Sequence, residues 1–139
     1  MAIKNYTSTV DVYTSLGEIQ KALARNGAEK IMIDYDAGVP SGLTFAINTP
    51  AGLRGFALPA NIAGVLAAFQ RQKVKPDREQ AQRTAWRNIR DWVLAQMAFI
   101  EAGNVEFEQV FLPYLTDGRG NTVYSLYQGG RLMLPEYIG

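Results

Sequence analysis

The sequence predicts an α+β domain: an antiparallel β-meander sheet packed on one face by helices, with one long amphipathic helix in the C-terminal half. Three observations carry this. Between residues 30 and 58, three segments alternate apolar and polar side chains and are separated by turn sequences. Between residues 77 and 102, apolar side chains recur at helical spacing with no Gly or Pro among them. Across all 139 residues, 47% are hydrophobic and 19% charged, the balance of a globular chain rather than a disordered one. That length buries about two thirds of the extended-chain surface, so we expect a single domain over 1–139, sheet-rich in 1–58 and helix-rich in 59–139.

Each element follows from its residues. Ile3 to Val12, rich in Thr, Val and Tyr, reads as a half-exposed strand. Ser15 with Glu18 three residues on forms a capping-box pattern, and Leu16, Ile19, Ala22 and Leu23 recur at helical spacing, so a helix is expected over Leu16 to Asn26, closed by Gly27. Lys30 to Tyr35 alternates, with Ile31, Ile33 and Tyr35 on one face and Met32 and Asp34 on the other. A loop over Asp36 to Gly42 leads to a strand over Leu43 to Asn48. The turn Thr49-Pro50-Ala51-Gly52 then leads to a strand over Leu53 to Leu58, which sets Arg54 and Phe56 on one face. Asn61 caps a helix through Phe69, and Gln70 to Pro76 reads as a basic connector. The long helix spans Asp77 to Ala102, its apolar stripe formed by Trp86, Ile89, Val93, Met97 and Ile100. Trp92 and Phe99 fall outside that stripe, so the second half of this helix is expected to be buried on two sides or covered by another subunit. Phe107 to Leu115 has helical spacing interrupted by Pro113; Asp117 to Asn121 is a turn; Thr122 to Gln128 suits either a strand or a short helix.

Composition excludes much chemistry. With no Cys and no His, disulfides, thiolate and imidazole metal sites, a Ser-His-Asp triad and a Cys-His dyad are all ruled out. We therefore expect no enzyme activity and no cofactor. No stretch approaches the roughly 20 apolar residues needed to span a bilayer, and the first ten residues lack an apolar signal-peptide core, so the expected workplace is a cytoplasm. Asp34 and Asp36 have the alternate spacing of a cation pair, but an acidic pair entering a Gly/Pro loop more commonly makes turn hydrogen bonds, and no metal site is expected there. Gly118-Arg119-Gly120 lacks the Lys-Ser/Thr of a phosphate-binding loop and reads as a turn.

Charge is the most informative feature. The net charge is only +1, yet residues 71–90 hold seven basic side chains against two acidic ones, half of the 14 Lys and Arg in the chain. Residues 91–139 hold two basic against six acidic. Such asymmetry points to an anionic partner or to subunits that pair through opposite charges. Arg83, Arg87 and Arg90 share one flank of the long helix beside Trp86, and Arg71, Lys73 and Lys75 lie on the connector. Together with Arg54 and Phe56 as a stacking platform, they form a candidate site for single-stranded nucleic acid. For Phe56, as for Tyr35 and Trp86, core packing is the competing reading.

Several segments carry a resemblance: Ile3-Lys4-Asn5-Tyr6-Thr7, Lys30-Ile31-Met32-Ile33-Asp34-Tyr35-Asp36, Leu58-Pro59-Ala60-Asn61-Ile62, Trp86-Arg87, Asp91-Trp92-Val93 and Phe111-Leu112-Pro113-Tyr114. Together they resemble a group of small proteins of tailed bacteriophages and prophages. The resemblance spans nearly the whole chain and implies a phage origin and work in the host cytoplasm. Small phage proteins of this kind commonly serve DNA replication and recombination or counter host defence. Two expectations follow: a non-catalytic binder of single-stranded DNA, as a homo-oligomer, or an interaction protein that inhibits a host defence protein or sequesters a nucleotide signal.

Overall fold

The structure, a computed structural model, describes residues 1–132; residues 133–139 of the expected domain lie outside the described residues. It is an α+β fold around an antiparallel sheet of four strands in the order β1-β2-β3-β4. The elements run α1 (Val12–Arg25), β1 (Ala28–Asp36), β2 (Val39–Thr49), β3 (Gly52–Pro59), α2 (Ile62–Arg71), α3 (Arg78–Glu101), α4 (Phe107–Phe111), a 3-10 turn (Leu112–Tyr114), β4 (Leu115–Thr116) and α5 (Val123–Gln128).

The meander is the one expected from the alternating segments, with longer strands. β1 and β2 are joined by only two residues, Ala37 and Gly38, both at positive φ, because a two-residue hairpin needs left-handed backbone to match the twist of its strands. Pro40, Ser41 and Gly42, expected in a loop, thus belong to β2. In register, Ile31 faces Phe45, Ile33 faces Leu43, Phe45 faces Phe56 and Leu43 faces Leu58, so one sheet face is continuous and apolar. That face is buried with Leu16, Ile19 and Leu23 of α1, Trp86, Val93 and Met97 of α3, and Phe111. Phe45 and Phe56 stack at 5.4 Å between ring centroids, and Phe107 and Phe111 meet them edge-on. A smaller core of Val65, Phe69, Ala81 and Ala85 joins α2 to α3. The fourth strand has too few residues to show a period; it reaches β3 at Gly55, where a Cβ would stand 3.2 Å from the Thr116 methyl.

Two further sequence expectations are corrected. Residues 3–10 form no strand: Asn5 takes a left-handed φ of 64°, and Tyr6 and Ser8 donate backbone bonds to Ile3 and Asn5 in successive turns. The segment lies along α3 instead of pairing in the sheet. Helix α1 starts earlier than the Ser15 capping pattern indicates, because Asp11 accepts from the Tyr13 N–H at 2.9 Å as the N-cap. Ser15 is fully buried one turn inside, and Glu18 is committed elsewhere.

The long helix runs as expected from its Asp77 cap to Ala102, with the stripe of Trp86, Val93 and Met97 buried. Of the two side chains outside the stripe, Trp92 is half-buried, edge-on to Phe111 and Tyr114, while Phe99 is exposed. Pro113 sits in the 3-10 turn that ends α4, and Thr122, expected to open either a strand or a helix, caps α5. No helix among the described residues is long and apolar enough to cross a membrane.

Candidate nucleic-acid interface

The seven cations of residues 71–90 divide into two groups. Arg83, Arg87 and Arg90 do share a flank of α3, as helical spacing requires, but that flank faces the chain's own N-terminal third. Arg87 Nη1 donates to Glu18 Oε2 at 2.6 Å, and Arg90 Nε donates to the same oxygen at 3.2 Å. Arg90 Nη1 also donates to Asp91 Oδ1 at 3.0 Å. Arg83 donates to the Ser8 carbonyl at 3.3 Å and to Gln80 Oε1 at 2.7 Å. All three side chains are half-buried. Through these bonds they hold α1 and the 3–10 segment against α3.

The polar residues between them do the same. Thr84 Oγ1 donates to the Asn5 carbonyl at 2.8 Å, and Gln80 Nε2 donates to the Ser8 carbonyl at 2.9 Å. Asn5 Nδ2 donates to Asn88 Oδ1 at 2.8 Å and to Asp91 Oδ2 at 2.9 Å, while Lys4 Nζ lies 3.2 Å from Asp91 Oδ2. Burial pushes the Asp91 carboxyl up, but hydrogen bonds from Asn5, Arg90 and Lys4 outweigh it and the net shift is downward. Sequence reasoning missed this docking because its partners are far apart in the chain and three of its bonds go to the Asn5 and Ser8 backbone carbonyls, which leave no side-chain signature.

The second group is exposed. Arg71 ends α2; Lys73 and Lys75 lie on the connector; Arg78 opens α3. None of the four forms an ion pair with another described residue. The connector is short and shaped: Lys73 has a left-handed φ of 57°, and the Val74 N–H closes back on the Phe69 carbonyl at 2.9 Å. Four cations are thereby presented around one bend.

Beside that bend lies an open groove of about 680 Å³ between α2 and α3, floored by small residues Gly64, Ala67 and Ala68 and reaching Pro59 at the end of β3. Arg71 lines it from the bend, and Asn88, Trp92 and Tyr114 line it from α3 and the 3-10 turn. Trp92 and Tyr114 stand 5.7 Å apart, edge to face. These two aromatics, not the one expected on β3, border open space. The signal for Trp92 was its position off the apolar stripe.

The remaining candidates separate from this surface. Phe56 is 1% exposed inside the aromatic core and offers no ring to a base. Arg54 is exposed on β3 next to the Thr49–Gly52 turn and does not line the groove. Asp34 and Asp36 stand on β1, and among the described residues no group of three or more acidic side chains gathers around them. Asp117 makes its turn as read: its carboxylate accepts from the Asn121 side chain at 2.9 Å and from the Arg119 N–H at 2.7 Å, which lowers its pKa. Compared with known proteins, the chain matches no family model, no curated protein and no solved structure. The class defined by fold and surface is thus an α+β domain that presents a basic bend beside an aromatic-lined groove.

Proposed function

We propose that this protein is a non-catalytic binder of single-stranded nucleic acid, most simply phage DNA during replication or recombination in a host cell. The observation that carries the reading is a bend bearing four cations, Arg71, Lys73, Lys75 and Arg78, that form no ion pair among the described residues, with Arg71 reaching into the groove that Trp92 and Tyr114 also line. Phosphates need closely spaced cations and bases need an apolar or aromatic surface; a single strand exposes both at once, whereas a duplex hides its base faces. In this reading the bend contacts the backbone and the groove receives a base, while Arg83, Arg87 and Arg90 act structurally.

The test is fluorescence anisotropy of labelled single-stranded DNA, duplex DNA and single-stranded RNA at two salt concentrations. Wild type is expected to prefer a single strand. Lys73→Glu with Lys75→Glu is expected to weaken binding at least about tenfold. Arg87→Ala is expected to lower stability and leave the affinity of the folded protein nearly unchanged. Binding that ignores the lysine pair but collapses with Arg87→Ala would reject this assignment.

The groove itself supports a second reading, in which the protein sequesters a nucleotide signal or inhibits a host defence protein. Its size lies within the range of small-ligand sites, and Arg71 supplies a cation for a phosphate at its rim. Calorimetric titration with mononucleotides and cyclic dinucleotides separates the two: heat with these ligands and no binding of DNA strands selects the second.

A further inference from the structure

We propose that the protein forms a two-fold homodimer through β1, which pairs antiparallel with β1 of a second copy, centred on Met32, and extends the sheet across the axis. This inference does not rest on the nucleic-acid reading.

β1 is at the edge of the sheet, and among the described residues its only strand partner is β2. It is nine residues long and contains no proline. A long edge strand offers a row of unpaired N–H and C=O groups and is a template for another strand. Its pairing with β2 shifts register between Ala28 and Lys30 and again between Asp34 and Tyr35. The uninterrupted stretch is therefore Lys30 to Asp34, and its middle residue is Met32.

That stretch is complementary to itself. In an antiparallel pair centred on Met32, Lys30 of each copy faces Asp34 of the other, Ile31 faces Ile33, and Met32 faces Met32. Alternation keeps both Lys–Asp pairs and the methionines on the open face, and both Ile–Ile pairs on the core face. Met32 is 59% exposed, and neither Lys30 nor Asp34 has an ion-pair partner among the described residues of its own chain. Ile31 and Ile33 are half-buried at the rim of the core, where a second strand would complete their cover. Centring on Ile31 loses the match by setting Lys30 against Met32, and centring on Ile33 sets Met32 against Asp34 and places the Asp opposite Lys30, Asp36, beyond the register shift that follows Asp34. A two-fold interface requires such self-complementarity, and opposite charges at mirrored positions supply it.

The test is the mass of the full-length protein in solution, freed of nucleic acid, by sedimentation equilibrium over a wide concentration range. Wild type is expected to reach twice its 15.4 kDa chain mass. Lys30→Glu alone, which sets Glu against Asp34, and Asp34→Lys alone, which sets Lys against Lys30, are each expected to weaken dimerisation about tenfold. The double variant Lys30→Glu with Asp34→Lys restores opposite charges and is expected to recover wild-type dimerisation within about threefold. Both substitutions lie on exposed positions, and circular dichroism checks that each of the three variants folds. A monomer at every concentration overturns the proposal, as does a dimer indifferent to the single variants or a double variant no tighter than either single one.

Discussion

Glu18 receives two arginines, and its titration follows from that. Burial pushes its carboxyl up, but the hydrogen bonds and charges of Arg87 and Arg90 outweigh this and hold it below its ordinary value. A carboxylate lowered in the folded state contributes stability at pH values above its unfolded pKa, and that contribution is lost as pH falls through the folded pKa. Asp91 acts in the same sense. Glu18→Gln is therefore expected to cost about 1 kcal/mol at pH 7, a modest figure because the side chain is 36% exposed. It should also shrink the loss of stability on acidification below about pH 5. Urea unfolding of both proteins at neutral and acid pH measures this, and parallel pH dependences would contradict it. Trp86 is the corresponding buried anchor, with its indole N–H donating to the Pro40 carbonyl at 3.0 Å. Trp86→Phe leaves that carbonyl unpaired beside a void and is expected to cost about 2–3 kcal/mol in the same unfolding measurement. A cost below about 1 kcal/mol would mean that the site repacks.

At the scale of elements, the strands and the long helix were legible because each has a period that one face of the core enforces. The stripe from Trp86 to Met97 needed no tertiary information. Boundaries were less legible where a residue's local preference competed with a distant partner. Ser15 and Glu18 make a good local cap, but burial of Val12 and Ser15 in the α1 stripe and the pull of Arg87 on Glu18 make Asp11 the start. The 3–10 segment has strand-like composition, yet Asn5 turns and gives its carbonyl to Thr84. The β1–β2 hairpin was hidden because Ala37 is a poor residue for its conformation: a non-glycine residue at a φ of 50° is strained. Ala37→Asn creates the Asn-Gly pair that such a turn prefers and is expected to raise stability by about 0.5–1 kcal/mol. A rise in the urea midpoint at constant slope would establish it; an unchanged or lower midpoint would show that the turn is not under strain.

Over the whole molecule, the net charge of +1 cannot draw a polyanion by itself, so any binding must come from a local cluster. Four exposed cations set the scale: the dependence of log affinity on log salt should be no steeper than about −2.8, at roughly 0.7 per phosphate contact on a single strand. Lys73→Glu with Lys75→Glu should reduce it to about −1.4 by the same measure. A steeper wild-type slope would mean that the cations of α3 leave their internal partners on binding. By itself the sequence determined the fold class, the meander, the cap and stripe of the long helix, the absence of thiol and imidazole chemistry and the existence of a basic window. Those follow from periodicity and composition, which are local or additive. Only the tertiary structure decided which of those cations face solvent, that Phe56 lies in the core while Trp92 and Tyr114 border a groove, and that β1 is an edge. A side chain's partner is set by what the fold brings opposite it, and residues 69 to 86 positions apart in the chain, such as Glu18 with Arg87 and Asn5 with Asp91, leave no mark of that meeting in the order of the sequence.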